Sequence, residues 1–267
     1  MRGRIPAPFH VLCAALLACT LFGCSDDDNG SEPKFGTINM SMTDAPADVD
    51  AINLVIRGVS IHRGDGDDEG GWETLRTDTM DVDLFTLRNG VFLNLANGRV
   101  PAGVYTQIRL LLDEGSTITV DGVTYPLVIP SGLQSGYKII GSYTVPADGL
   151  LDLALDFDAA RSVHQTGSGT WILQPTVRAM PFSSAGAIKG HVLPENVPTT
   201  IYAIMATDTI GTAITADDGH FQVGVLPVGT YSVAFDPTGA YRDTTLTGVN
   251  VTSGVTTDVG DVQLTPQ

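Results

Sequence analysis

Apolar and polar residues alternate with a period of two through most of the chain after residue 34. The clearest runs are 38–42, 104–112 and 151–157, where an apolar side chain or a threonine occupies every second position. Such alternation is typical of a β-strand with one buried face. Turn-forming residues separate the runs at intervals of about 8–12 residues, as in an all-β sandwich or barrel. The pattern therefore predicts an all-β fold.

Local irregularities refine this prediction. The apolar phase of residues 52–56 slips by one position before Val59, which predicts a β-bulge at Arg57-Gly58. Asp121-Gly122 and Asp217-Asp218-Gly219 carry the turn signal of a β-hairpin. Two stretches predict short helices instead: Leu84 to Leu95 and Asp158 to His164.

The alternation is interrupted at Met180–Gly186, where small residues and a proline predict a boundary between domains. We expect two antiparallel β-sandwiches, over residues 35–180 and 186–267. The segments Val100–Tyr105 and Leu226–Tyr231 match as proline, glycine and aromatic residues at equal spacing. This repeat favours two sandwiches of related topology, each using the same turn before a strand.

The first 23 residues have the pattern of a secretory signal peptide. Arg2 and Arg4 precede an uncharged apolar run, which is too short to span a bilayer and ends at Leu21-Phe22-Gly23-Cys24. These four residues resemble the lipobox of bacterial lipoproteins. The resemblance implies cleavage before Cys24 and lipidation of its thiol, which would anchor the chain to a membrane. The alternative is an ordinary signal peptide with a chance cysteine.

Residues 24–34 are acidic and lack apolar periodicity, which predicts a flexible tether. An acidic stretch after the lipidated cysteine also resembles the surface-export signal of Bacteroidota lipoproteins, so a plain spacer and surface display are both open. Loss of the leader changes the formal net charge from −16 to −18, because it removes Arg2 and Arg4. Such a charge disfavours nucleic acid and anionic headgroups as partners.

Cysteine usage narrows the chemistry further. Cys13 and Cys19 lie in the leader, and Cys24 is the only other cysteine. We therefore expect no disulfide, no cysteine nucleophile and no cysteine-based metal site in the mature domains.

Residues 186–266 resemble the carboxypeptidase regulatory-like domain. The resemblance is carried by Thr215–Phe221, which contains Asp218-Gly219, and by Leu226–Tyr231. It implies a prealbumin-like β-sandwich that serves as a non-catalytic accessory module.

Residues 35–180 resemble a bacterial family, domain of unknown function 4382. The matching segments are Thr43–Pro46, Gly103–Leu110, Leu155–Ala159 with Ser162-Val163, and Leu173–Pro175. The resemblance implies a lipoprotein context and no assigned activity.

Acidic residues supply the candidates for chemistry. The loop Asp65–Gly70 matches the start of a calcium-binding EF-hand loop, but Arg76 stands where a bidentate glutamate is needed. A solvated loop is favoured, and a weak calcium site stays open. Asp152, Asp156 and Asp158 share one strand face, which predicts a solvent-facing polar face and, as the alternative, an acid–base pair.

The remaining polar candidates indicate local structural roles. Asp44 lies in a turn and is expected to be a local cap. Ser162 and His164 lie near Asp158 but lack the strained elbow of a serine hydrolase. Four histidines of the mature chain show no spacing typical of zinc ligands: His62, His164, His191 and His220. The sequence therefore predicts no catalytic residue, metal or cofactor.

The two tryptophans bear on carbohydrate binding. The period-two position of Trp171 favours the core, and Trp72 follows the acidic loop. Either ring, if exposed, could stack on a sugar.

These observations predict a non-catalytic, lipid-anchored binding or scaffolding protein of the cell envelope. It would lie at the outer membrane, facing the periplasm or the surface, with a glycan, a surface polymer or an envelope protein as partner. A carbohydrate-binding module is the first alternative, and a hydrolase using the aspartate face is the second. A partner could also add a strand to an open sheet edge.

Overall fold

The computed structural model describes residues 33–45, 49–64, 69–130 and 135–267. The predictions for the signal peptide, for Cys24 and for most of the tether lie outside these residues, as does most of the acidic loop at 65–70. Residues 33–267 form one compact unit. Nearly all of its regular structure is β-strand, so the all-β prediction is confirmed.

The first part of this unit contains thirteen strands among the described residues. They are β1 (Phe35–Ala45), β2 (Ala51–Arg63), β3 (Trp72–Arg76), β4 (Met80–Asp83), β5 (Leu93–Pro101), β6 (Gly103–Leu112), β7 (Thr117–Val120), β8 (Val123–Val128), β9 (Tyr137–Val145), β10 (Leu150–Asp158), β11 (Val163–Gln165), β12 (Trp171–Leu173) and β13 (Val177–Pro181). Short 3₁₀ turns cover Glu69–Gly71, Leu84–Leu87 and Phe182–Ser184, and the one-turn helix α1 covers Ala159–Ser162.

Seven strands follow. They are β14 (Ala185–Leu193), β15 (Thr199–Met205), β16 (Asp208–Ile214), β17 (His220–Pro227), β18 (Gly229–Pro237), β19 (Thr244–Val251) and β20 (Thr256–Gln263).

Four sheets enclose two hydrophobic cores. One sheet has the order β13-β10-β1-β5, and a second has the order β11-β12-β8-β7-β2-β6-β9 with β3 and β4 paired to β2. The first core lies between them and includes the fully buried Met40, Leu54 and Phe157. The third and fourth sheets, β17-β14-β20 and β16-β15-β18-β19, enclose a separate core around Phe221 and Phe235. We call these halves the first and second sandwich.

Most neighbouring strands are antiparallel, but three pairs are parallel. These are β1 with β10, β8 with β12, and β14 with β20. Period-two alternation does not distinguish the two directions, so these pairs were not predicted. The domain boundary at 180–186 stays a prediction, although the chain passes from β13 in one sheet to β14 in another there.

Several local predictions can be compared with the backbone. Ile56 pairs with Leu112 and Gly58 with Leu111, so the bulge predicted at Arg57-Gly58 is confirmed. The turn at Asp121-Gly122 has φ values of 51° and 73°, as a type I′ hairpin turn requires.

Three expectations need correction. The residues Asp217–Gly219 form a turn, but β16 pairs with β15 and β17 with β14, so it connects two sheets and no hairpin. The helix expected at 84–95 is a single 3₁₀ turn, because Asn89 and Gly90 adopt positive φ and redirect the chain into β5. The helix expected at 158–164 is only α1, since the β-branched Val163 already belongs to β11.

The internal repeat has a structural counterpart in both sandwiches. The Tyr105 hydroxyl donates a 2.8 Å hydrogen bond to the Pro101 carbonyl, and the Tyr231 hydroxyl donates one of 2.8 Å to the Pro227 carbonyl. Both rings are almost fully buried. Because Tyr105 starts the inward face, Val104 points outward and is 48 % exposed, contrary to the face predicted for the start of that strand. The register shifts between Tyr105 and Gln107, and the rest of the predicted face is fully buried at Ile108, Leu110 and Leu112.

Candidate functional site at the junction of the sandwiches

Two of the three β10 aspartates are buried. Asp156 is 7 % exposed and Asp158 is 5 % exposed, whereas Asp152 lies nearer the surface and accepts a 2.7 Å hydrogen bond from Asn39. The prediction of a solvent-facing aspartate face is therefore wrong at Asp156 and Asp158. Strand β10 lies between β1 and β13, and β17 of the second sandwich also packs close to it.

Asp44 joins these carboxylates through the parallel pairing of β1 with β10. Thr43 pairs with Asp156 and Asp44 with Phe157, and Asp44 is only 7 % exposed. Its side chain accepts a hydrogen bond from the backbone of Ala159, while its Oδ1 atom is buried without a hydrogen-bond partner. Burial raises the pKa of Asp44 well above its usual range, and the nearby Asp156 and Asp158 add to this. Asp44 therefore lies near the end of β1, within a buried group of carboxylates. It is not the local cap that was expected.

Two arginines neutralise the other members of the cluster. Arg178 Nη2 lies 2.6 Å from Asp156 Oδ2, and Arg161 Nε lies 2.5 Å from Asp158 Oδ2. The backbone of Arg161 also donates to Asp158 Oδ1, which caps α1. Burial raises the pKa of Asp156 to about 6, and the attraction of Arg178 opposes that rise. We call Asp44, Asp156, Asp158, Arg161 and Arg178 the junction cluster.

Arg178 also connects the two sandwiches. Its Nη1 atom donates a 2.5 Å hydrogen bond to the carbonyl of Ile210 in β16. A second connection runs through Asn89, whose amide donates to the carbonyl of Ile214 and whose Oδ1 accepts from the backbone of Gln222. The same arginine therefore pairs with a buried carboxylate of one sandwich and with the backbone of the other.

A hollow of about 530 Å³ lies beside the junction cluster. Asp156, Asp158 and Arg178 line one side, and residues 207–210 of the second sandwich line the other. An acid–base pair needs carboxyl oxygens directed at a substrate. Here the Oδ2 atoms of Asp156 and Asp158 each pair with an arginine, so these contacts serve the fold.

The other predicted polar residues are dispersed. Ser162 is fully buried; its hydroxyl donates to the backbone carbonyl of Asp158 and accepts from the backbone of Thr176. His164 is exposed, so Ser162 and His164 do not form a catalytic pair. Within 33–45, 49–64, 69–130 and 135–267, no three His, Cys, Asp or Glu side chains are grouped so as to hold a metal ion.

The tryptophans are both half-buried. Trp171 packs against the first core, as favoured, with its ring 6.4 Å from that of Tyr125. Trp72 lies 4.8 Å from the ring of His62, and the guanidinium of Arg109 lies over it at 3.7 Å. One face of Trp72 is therefore covered, which weakens a sugar-stacking role.

Sequence reasoning missed the junction cluster because most of its members meet through long-range pairing, and only the contact between Asp158 and Arg161 is local. The cluster joins the ends of β1, β10 and β13, which are far apart in the chain. An apolar run broken by aspartates gave no local signal of burial. The one available hint was the aspartate pair itself, placed at the end of a strand whose other residues are apolar apart from Asp152.

Comparisons with solved structures give only weak likenesses. The Bacillus anthracis TIE protein is 13 % identical with a TM-score of 0.22, over 87 % of this chain and 34 % of that one. A leucine-rich repeat protein from Bacteroides thetaiotaomicron is 14 % identical with a TM-score of 0.19, over 86 % and 26 %. The minor pilin GBS52 of Streptococcus agalactiae is 10 % identical with a TM-score of 0.22, over 86 % and 97 %.

This chain thus spans about a third of the length of the first of these proteins and about a quarter of the second. TM-scores at this level support no functional conclusion. No curated protein matches the chain. In the part of the chain that the structure describes, no helix combines the length and apolar character needed to cross a membrane.

The resemblance expected for residues 35–180 is confirmed over 35–175, which match the model of a family described as Domain of unknown function (DUF4382). The resemblance expected for residues 186–266 stays a prediction. Because the match covers more than half of the sequence, the chain belongs to the DUF4382 family.

Proposed function

We propose that this protein is a non-catalytic binding or scaffolding protein of the cell envelope, anchored by lipid at Cys24. The anchor is supported by the sequence Leu21-Phe22-Gly23-Cys24 after a short apolar run. The acidic residues that follow provide a tether between the lipid and the folded unit. The strongly negative charge leaves the acyl chains as the main attachment to an anionic membrane.

The single observation that supports the binding or scaffolding role is that Arg178 contacts both sandwiches. It pairs with Asp156 at 2.6 Å and donates to the Ile210 carbonyl at 2.5 Å. The buried charges of the protein are thereby used to hold two sandwiches in one orientation. A pair of sandwiches fixed in this way presents sheet faces and the hollows between them to a partner.

The two alternatives have less support from the geometry. A carbohydrate-binding module needs an open aromatic face, and Arg109 covers one face of Trp72. A hydrolase using the β10 aspartates needs carboxyl oxygens that reach a substrate, and Arg161 and Arg178 hold those of the junction cluster.

Lipidation is tested with Cys24→Ser and, as a matched control, Cys19→Ser in the leader. We expect the wild type and Cys19→Ser to incorporate labelled palmitate and to enter the detergent phase of Triton X-114. Cys24→Ser should be unlabelled and stay in the aqueous phase. A Cys24→Ser protein that is still labelled would refute the anchor.

Binding is tested with the detergent-solubilised lipidated protein. We expect cross-linking in intact envelopes to capture a defined partner, and a glycan array to show no saccharide that competes with it. A saccharide whose binding is lost in Trp72→Ala or Trp171→Ala would replace scaffolding by carbohydrate binding. Protease treatment of intact cells separates surface display from a periplasmic orientation, since only a displayed protein is digested.

A further inference from the structure

Two hollows share the outer face of the three-stranded sheet of the second sandwich. One, of about 400 Å³, lies over His191 of β14 and His220 of β17. The other, of about 430 Å³, lies over Gly224 of β17 and Val255, just before β20. Gln222 lines both, so they meet at its side chain. We call them the acidic hollow and the apolar hollow.

The first sandwich contributes a wall to each hollow. Asn89 lines the acidic hollow, and Phe92 lines the apolar one. Both residues belong to the segment before β5, which is fixed to the second sandwich because Asn89 bonds to Ile214 and Gln222. The joined hollows therefore exist only in the assembled pair of sandwiches.

The acidic hollow carries excess negative charge. Asp218, Asp258 and Asp261 line it, and Lys189 is the only lysine or arginine among its lining residues. Lys189 lies 3.4 Å from Asp258, and His191 Nδ1 lies 3.2 Å from Asp261. Asp218 lies 3.3 Å from His220 Nδ1, so each aspartate has a basic neighbour. The three aspartate side chains are nevertheless 57–71 % exposed, and three carboxylates face a single lysine and two histidines, which leaves the hollow attractive to an incoming cation.

The apolar hollow is built from aromatic and small residues. The rings of Phe92 and Phe182 meet edge to face at 5.0 Å along one side. Val255 is 51 % exposed on the other side. The floor is open at Gly224, where an added Cβ would meet no atom within 4 Å. A single apolar side chain of a partner fits this chemistry and would be removed from water there.

The spacing between the hollows indicates an extended ligand. His220 and Gly224 are four residues apart on one strand, which corresponds to about 13 Å at the rise of a β-strand. An extended peptide covers that distance in the same number of residues. A partner with the opposite charge over the aspartates and an apolar residue over Gly224 would match both hollows at once.

We propose that the two hollows form one binding site for an extended segment of a partner protein, in which an apolar side chain and a lysine or arginine lie three or four residues apart. This inference rests on the proposed binding function and names the chemistry of its partner. Charge complementarity selects the basic residue, and the Phe92–Phe182 wall selects the apolar one.

The test uses a short acetylated peptide of serines and threonines with one phenylalanine and, four positions later, one lysine. Amide resonances of the isotope-labelled protein are followed during titration. We expect shifts at Gly224, Val255 and Asp258, and about tenfold weaker binding when the phenylalanine is replaced by serine or the lysine by glutamate.

Matched variants of the protein test where the peptide binds. Gly224→Leu fills the apolar hollow and should weaken binding about tenfold, whereas Gly167→Leu, at an equally open glycine of the first sandwich, should have no effect. Asp258→Asn with Asp261→Asn should weaken binding and reduce its dependence on salt. The same change of two charges at the exposed Asp121 and Asp243, Asp121→Asn with Asp243→Asn, should leave binding unchanged.

Several outcomes would overturn the proposal. These are equal binding of the lysine and glutamate peptides, shifts that map to another sheet, or binding by Gly224→Leu at wild-type affinity. Absence of any shift at millimolar peptide would also overturn it. None of these outcomes affects lipidation at Cys24, so the failure of this site is distinguishable from the failure of the envelope anchor.

Discussion

Stability should fall as the pH rises through the titration of Asp156. Burial raises the pKa of this carboxyl to about 6 from its ordinary value of 3.8. The folded state therefore holds a proton that the unfolded chain has already released. The resulting stability is fully present below the unfolded pKa, and it is lost as the pH rises through the folded pKa.

The magnitude follows from the size of this change. Raising the pKa of Asp156 from 3.8 to about 6 corresponds to about 3 kcal/mol of unfolding free energy. About 2 kcal/mol of it falls between pH 4.5 and pH 7.5, a range suited to urea denaturation. The pKa of Asp44 is also raised, so Asp44 acts in the same direction. Asp156 is 7 % exposed, and solvent screening of the effect is therefore small.

The assay compares the wild type with Asp156→Asn by urea denaturation at pH 4.5 and pH 7.5. In the wild type, Asp156 should make the free energy of unfolding about 2 kcal/mol lower at pH 7.5 than at pH 4.5. This contribution should be missing from Asp156→Asn, whatever the absolute stability of the variant. Asp121→Asn, the same charge change in an exposed hairpin turn, is the matched control and should follow the wild type. If Asp156→Asn kept the full pH dependence, burial of this carboxyl could not be its source.

Three further changes test the contacts that hold the fold together. Arg178→Leu leaves Asp156 buried without its cation and should cost about 3–5 kcal/mol at pH 7.5, measured by urea denaturation. Tyr105→Phe and Tyr231→Phe each remove one buried hydrogen bond to a proline carbonyl and should each cost about 1 kcal/mol, measured by thermal unfolding. Gly122→Ala forces a side chain into the left-handed region at φ 73° and should cost about 1–2 kcal/mol in the same assay.

Two of these predictions have a control on the same chain. Lys189→Leu removes the cation of a pair whose two side chains are 49 % and 57 % exposed, and its cost should stay below about 1 kcal/mol. An Arg178→Leu protein as stable as Lys189→Leu would contradict the buried pair. Gly167→Ala, where φ is not positive, should change stability by less than about 0.5 kcal/mol. Equal effects at Gly122 and Gly167 would argue against backbone strain.

Local pattern was sufficient for the strands and for some of their irregularities. A bulge changes which face a side chain occupies, so the slip before Val59 revealed the bulge at Arg57-Gly58 from sequence alone. The type I′ turn at Asp121-Gly122 was predicted equally well from the sequence, because few residues tolerate positive φ. The turn at Asp217–Gly219 shows the limit: its local shape was predicted, but the sheets on either side were not.

Burial of charge could not be predicted in this way. On β10, aspartates at alternate positions have the same sequence pattern whether the strand edge meets water or a second sandwich. Asp156 is buried because β10 lies between β1 and β13 and because β16 and β17 of the second sandwich pack near it. Those partners are separated from β10 by many residues, and no local propensity encodes the pairing.

The sequence by itself determined that the chain is all-β, that its strands carry particular bulges and turns, and that a segment resembling a lipobox precedes an acidic stretch. These properties depend on neighbours within a few residues, where side-chain periodicity and backbone preference act directly. Only the tertiary structure decided that three aspartates and two arginines form the junction cluster, and that Asn89 and Phe92 complete hollows on another sheet. Those properties depend on which distant strands pack together, and that packing is determined by the burial of the two hydrophobic cores.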